Sequence, residues 1–194
     1  DYSRGHEPNF PGAQDFRGRI IHPQHWDPKL EVEGQRVVII GSGATAVTMV
    51  PALAEAGAHV TMLQRSPTYI AAQPGSDTIA NLLRRIPPAG LAHRTARWKY
   101  ILRTLFFFEL SQRSPDFAKR GVIKAARKEL GPDAVVEQHF SPAYKPWDQR
   151  FCLAPDGDFF KALASGKASI VTDRIASFTA KGIKLESGEE LEAD

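Results

Sequence analysis

Cysteine is almost missing from this sequence: Cys152 is the only one among 194 residues. A lone thiol excludes an internal disulfide and a cysteine-rich metal site. It fits a reducing compartment, so a cytoplasmic location is expected. Long apolar runs are missing too. None exceeds four residues, as in Leu105–Phe108, far short of the roughly 18 needed to cross a bilayer. The six histidines, Cys152 and the acids show no metal-ligand spacing, so no metal is expected. A net charge of +3 is too small to argue for nucleic acid. Acids are locally scarce, however. Between Arg84 and Lys128 only Glu109 and Asp116 face twelve lysines and arginines. Such a run reads first as a solvated helix face, and second as a surface for an acidic partner or a membrane. There is no signal peptide, and the chain starts at Asp1 without methionine, so an excised piece of something larger is expected.

What is present is ordinary globular material, 42% apolar and 24% charged, enough for one domain with a small appendage. Pro8, Pro11, Gly12, Gly18, Pro23 and Pro28 mark the first 34 residues as an extended hinge or linker. Arg36–Ile40 is a short β-branched run ending in glycines, which predicts a buried parallel strand. Residues 44–57 predict a helix, with Pro51 breaking the local rule, and His59–Leu63 predicts a second strand. Helix signals dominate from Asp77 to Leu130, interrupted at Pro87-Pro88 and Ser114-Pro115. Within them Trp98, Ile101, Leu102, Leu105, Phe106 and Phe108 crowd one arc with arginines opposite, which predicts core or an interdomain seam. Ser169–Thr172 predicts a further strand, and residues 175–191 a small meander. The expected fold is therefore α/β: a Rossmann-like dinucleotide-binding domain over residues 35–194, with a parallel sheet, a helical insert at about 77–130 and a small β-meander.

Between the first strand and helix stands Gly41-Ser42-Gly43-Ala44-Thr45-Ala46. Gly-x-Gly-x-x-Ala alone is a weak signal, but here it lies where a phosphate cradle needs it. Gly41 permits the tight turn, Gly43 lets a pyrophosphate approach the backbone, and Ala46 is small enough for helix and strand to pack closely. The helix start offers N–H groups and partial positive charge. Ser42 and Thr45 carry hydroxyls suited either to phosphate contact or to capping the helix. At the end of the second strand, a free ribose 2′-hydroxyl would want an acid. The chain instead has Gln64-Arg65-Ser66, with no acid from His59 to Ala72. A guanidinium pairs with a 2′-phosphate that a carboxylate would repel, so NADPH is expected over NADH.

Four stretches resemble a known family. Phe16, Gly18, His22, Trp26 and Asp27 fill the fixed positions of F-x-G-x-x-x-H-x-x-x-W-[PD], and the chain resembles the flavin-containing monooxygenases, most closely the Baeyer–Villiger type. Pro8–Gly12 looks like the exit from the first half of that family's FAD domain, and Gln64–Pro67 like its NADP-selecting corner. Tyr144–Arg150 resembles, more loosely, the stretch with the active-site arginine, here Arg150; Gln149 stands where some members have a lysine.

The resemblance implies an NADPH domain whose partner is a missing FAD domain, with most of the FAD site outside these residues. It implies a parent enzyme in which NADPH reduces FAD, and the flavin uses molecular oxygen to convert a small organic ketone to an ester or lactone. Arg150 would be a permanent cation at the reacting centre, the alternative being a salt bridge to Asp148 or Asp156. His22, Trp26 and the other fingerprint residues would be positioning groups, and His25 would face solvent. The fragment by itself would be catalytically incomplete. Two alternatives stand beside this reading: an oxygenase acting on nitrogen or sulfur, and a basic module that docks an acidic partner or membrane surface.

Overall fold

The apolar run predicted as a buried strand forms β1 (Arg36–Ile40), but only Ile39 is buried because β1 ends its sheet among the described residues, and Gly41 ends the strand at once. In the computed structural model, which describes residues 8–83, 89–131 and 136–194, α1 (Ala44–Glu55) follows directly. Its inward face is Ala46, Val47, Val50, Leu53 and Ala54, the i, i+3, i+4 spacing of an amphipathic helix. The helix continues through Pro51 despite the missing donor. Next come β2 (His59–Gln64) and, unannounced by any clear sequence signal, β3 (Tyr69–Gln73).

The insert comprises α2 (Thr78–Leu83), α3 (Ala89–Arg113) and α4 (Pro115–Leu130). Ser114-Pro115 divides α3 from α4 as expected, with proline at the first turn where its missing N–H costs nothing. Pro87-Pro88 lies outside the described residues. The chain then forms α5 (Val136–Phe140), β4 (Phe151–Pro155), α6 (Asp158–Ala164) and β5 (Ala168–Thr172). It ends in a meander of β6 (Ile175–Phe178), β7 (Gly182–Leu185) and β8 (Glu190–Glu192).

β1, β2 and β5 form a parallel sheet in the order β1-β2-β5, with Ile40 opposite Leu63 and Leu63 opposite Val171. β3 and β4 pair in parallel as a second layer, and the meander is antiparallel. The expected α/β class with a parallel sheet is what the chain adopts. The main core lies between α1, α6, α4 and the strands, around Val50, Met62, Phe159 and Phe160, all without solvent contact. Burying each such side chain contributes about 1.5–3 kcal/mol.

Two further expectations need correction. The first concerns residues 8–34, which are irregular but packed rather than a free extended linker. Phe10 and Phe16 lie against Phe178 of the meander, at 5.4 and 5.8 Å between ring centroids. The Phe178 N–H donates to Pro11 O, and the Arg19 N–H to Asp194 O. Gly18 sits where that crossing is tightest, since a Cβ there would lie 2.2 Å from Asp194 O and 2.5 Å from the Phe16 ring.

The second concerns the aromatic arc of α3. Trp98, Leu102, Leu105 and Phe106 are exposed, so they are not core. The inward face is instead that of Phe107, edge-on to Trp147 and Phe151, and of Ser111. At about 100° per residue Arg97 and Arg103 lie on the far side of the exposed arc, as expected, while Arg94 falls at its edge.

Candidate dinucleotide site

Gly41 has φ +119, a conformation open to glycine and strained for other residues, so the turn out of β1 needs it. Its N–H donates to Leu63 O at 2.8 Å, which ties the turn to the end of β2. Ser42 is buried, and its hydroxyl shares a 2.7 Å hydrogen bond with that of Thr68, also buried. Its role is thus an internal clamp, neither helix cap nor exposed phosphate contact. Gly43 is the N-cap of α1 and makes no side-chain cap, so the cap role open to Thr45 is not taken either. Ala44 and Thr45 are exposed at the helix start, while Ala46 is buried in the core as close helix–strand packing requires.

Arg65 and Ser66 follow β2 directly and are both exposed. The loop that carries them is fixed at both ends to the glycine turn, through Leu63 O and through Thr68. Gln64 does not face the site. It is buried, and its amide nitrogen donates to His139 O and to the Thr172 hydroxyl. Its Oε1 has no hydrogen-bond partner among the described residues. Burial also pushes the His139 imidazole below its ordinary value.

Arg150 reaches the same turn from the other side. A Cβ built on Gly43 would meet Arg150 Nη1 at 3.9 Å, and one built on Gly41 would meet nothing within 4 Å. The space in front of Gly41 is therefore open, while Arg150 stands at contact distance in front of Gly43. Neither anticipated salt bridge, to Asp148 or to Asp156, forms among the described residues. Asp156 instead accepts from the Gly75 N–H.

The position of Arg150 is set by an aromatic buttress that sequence reading missed. Tyr69 is fully buried and donates to Tyr144 O, and Tyr144 donates to Arg150 O at 3.0 Å. Trp147 stacks on Phe151 at 5.5 Å and 11°, with φ +74, rare for a bulky residue. A sequence signal existed, since Tyr144, Trp147 and Phe151 crowd within eight positions. Their shared partner Tyr69 is far away in the chain. Burial pushes the Tyr69 hydroxyl up to about 12.

The fingerprint residues are spread along the N-terminal strap. Phe16 and Gly18 fasten it to the meander and chain end. His22 Nδ1 accepts from the Gln24 N–H and starts a short 3₁₀ turn. Trp26 packs on the main core, and Asp27 accepts from the Lys29 N–H. No hydrogen bond or ion pair among the described residues joins them to the glycine turn, and His25 is exposed.

A parallel sheet with a Gly-x-Gly turn between its strand and an uncapped helix start, with Arg150 beside the turn, is the architecture of the dinucleotide-binding α/β class. Comparison with known proteins narrows the class. Residues 3–86 match the family model described as pyridine nucleotide-disulphide oxidoreductase. The FAD-containing monooxygenase EthA of Mycolicibacterium smegmatis is 50% identical over the whole chain, which covers 40% of that relative. The probable FAD-binding monooxygenase AlmA of Acinetobacter baylyi is 48% identical, with 39% of it covered. Among solved structures, an oxidized steroid monooxygenase bound to NADP superposes with a TM-score of 0.74 at 18% identity, over 99% of this chain and 43% of the other. The closed form of cyclohexanone monooxygenase gives 0.72 at 19%, with the same coverage. These residues are similar to part of the FAD-containing monooxygenases, in line with the fingerprint resemblance. The chain spans about two fifths of the length of the curated relatives it matches.

Proposed function

We propose that the chain is the NADPH-binding domain of an FAD-dependent monooxygenase of the Baeyer–Villiger type, whose whole enzyme turns a ketone into an ester or lactone with molecular oxygen. One observation carries the nucleotide assignment. Arg65 is held beside the glycine turn by two anchors, and no acid lies between His59 and Ala72. Gly41, Gly43 and the N–H groups of Ala44, Thr45 and Ala46 would receive the pyrophosphate. Arg65 and Ser66 would receive the 2′-phosphate, with Ser42 acting behind them through Thr68. Arg150, a cation that stays charged, would stabilise negative charge developing at the reacting centre. Phe16, Gly18, His22, Trp26 and Asp27 would hold the strap that joins this domain to the FAD-binding part.

NADPH supplies the hydride that reduces FAD, and the flavin supplies the oxygen chemistry. The sequence contains one Gly-x-Gly turn, so only the nicotinamide nucleotide is assigned to these residues. The chain by itself should bind NADPH without oxygenating a ketone. Support for the Baeyer–Villiger type comes from the fingerprint ending in Trp26-Asp27 and from the fold shared with cyclohexanone monooxygenase.

Calorimetric titration tests the reading. NADPH should bind at least about tenfold more tightly than NADH, and Arg65→Ala should cost about 1.5–3 kcal/mol with NADPH and little with NADH. Equal loss for both nucleotides would refute the 2′-phosphate assignment.

A further inference from the structure

The helix α3 is apolar on two opposite sides. Phe107 and Ser111 turn inward, while Trp98, Leu102, Leu105 and Phe106 lie outward at 57, 60, 53 and 69% exposure. At about 100° per residue these four span an arc of about 100° on the side away from Phe107. An exposed Trp, Phe and two Leu in one stripe is more than the scattered apolar residues of an ordinary surface.

The charges around the stripe indicate what covers it. At about 100° per residue Arg94 borders one edge and Lys99 the other, with Arg97 and Arg103 further round the helix. From His93 through Phe108 the chain has no acid. Arg94, Thr95, Trp98, Lys99 and Leu102 line a shallow open depression, so cations and the indole meet on the same surface. Lys99 is engaged by Asp77, and the Arg103 guanidinium lies 5.0 Å over the Tyr100 ring, so Arg94 contributes most of the charge beside the stripe. The stripe ends at Glu109, which pairs with Arg113.

An apolar stripe containing Trp and Phe, bordered on both sides by long cationic side chains, suits a helix lying in the plane of a bilayer surface. The apolar residues reach the acyl boundary while the cations extend to lipid phosphates. No described helix is long and apolar enough to cross a membrane, so the contact is peripheral. We infer that the outer face of α3 docks on an anionic phospholipid surface.

The test is co-sedimentation of the whole parent enzyme, with the 194-residue chain beside it, on phosphatidylcholine vesicles with and without about 30 mol% phosphatidylserine. Both should partition onto the anionic vesicles with a blue shift in tryptophan emission that Trp98→Phe removes. Partition should fall at least about fivefold on neutral vesicles, and again when salt is raised from about 0.1 to about 1 M. Trp98→Ala with Phe106→Ala, and separately Arg94→Glu with Arg97→Glu, should each lower it about tenfold, with circular dichroism and NADPH binding unchanged. Absence of vesicle binding by the unaltered whole enzyme would overturn the inference, even if the 194-residue chain alone bound, and so would binding that survives both double substitutions. Self-association without lipid, lost in Trp98→Ala with Phe106→Ala, would also overturn it, in favour of a second copy on this face.

Discussion

The Ser42–Thr68 hydroxyl pair shows how single residues hold the site. Both side chains are buried, and they join the glycine turn to the loop that carries Arg65. Thr68→Val keeps the shape but leaves the Ser42 hydroxyl without its partner in a dry place. The expected cost is about 1–3 kcal/mol, read as a lower urea midpoint with unchanged slope. NADPH affinity should fall as well, because the Arg65 loop loses one of its two anchors. Ser42 and Thr45 also show the limit of reading residues alone. Their hydroxyls fitted capping or phosphate equally well on sequence, and burial assigned Ser42 to neither.

At the scale of elements, the strap and the meander stabilise each other. Phe178 is the common contact, with Phe10 tilted against it and Phe16 edge-on. Phe178→Ala should therefore cost about 3–5 kcal/mol. Amide exchange should show residues 10–19 and 175–192 losing protection together. Protection lost only in the meander would mean that the strap is held elsewhere. The proline- and glycine-rich start announced irregular backbone correctly. It could not announce packing, because the residues that hold it come from the chain's far end. The α3 stripe has the same origin: apolar spacing marks two faces, and only the fold says which one is covered.

For the whole molecule, Tyr69 links the two halves of the site, since it supports Tyr144 and through it the segment of Arg150. Burial raises its ionisation to about 12 from an ordinary 10.0. The folded state therefore keeps the proton after the unfolded chain has lost it. The Tyr69 contribution is complete below pH 10.0 and is lost as pH rises toward about 12. Urea unfolding at about pH 9 and about pH 11 should show this loss in the native sequence, and a smaller one in Tyr69→Phe. An identical alkaline slope in both would mean that Tyr69 is not the group responsible.

Local chemistry was enough to determine the strand, glycine turn and helix of residues 36–55, the Ser114-Pro115 break of the helical insert, the meander and the missing acid after β2. Each depends on neighbours within a turn or a strand, where periodicity and backbone freedom act directly. Tertiary structure alone decided that β3 and β4 pair, that Tyr69 supports Tyr144, and that Arg150 comes to Gly43. Cys152, two residues beyond Arg150, lies 3.8 Å from Ser42 O across 110 positions of sequence. Such a meeting depends on how the α2–α4 insert packs before returning the chain to the sheet, and no local pattern encodes that path.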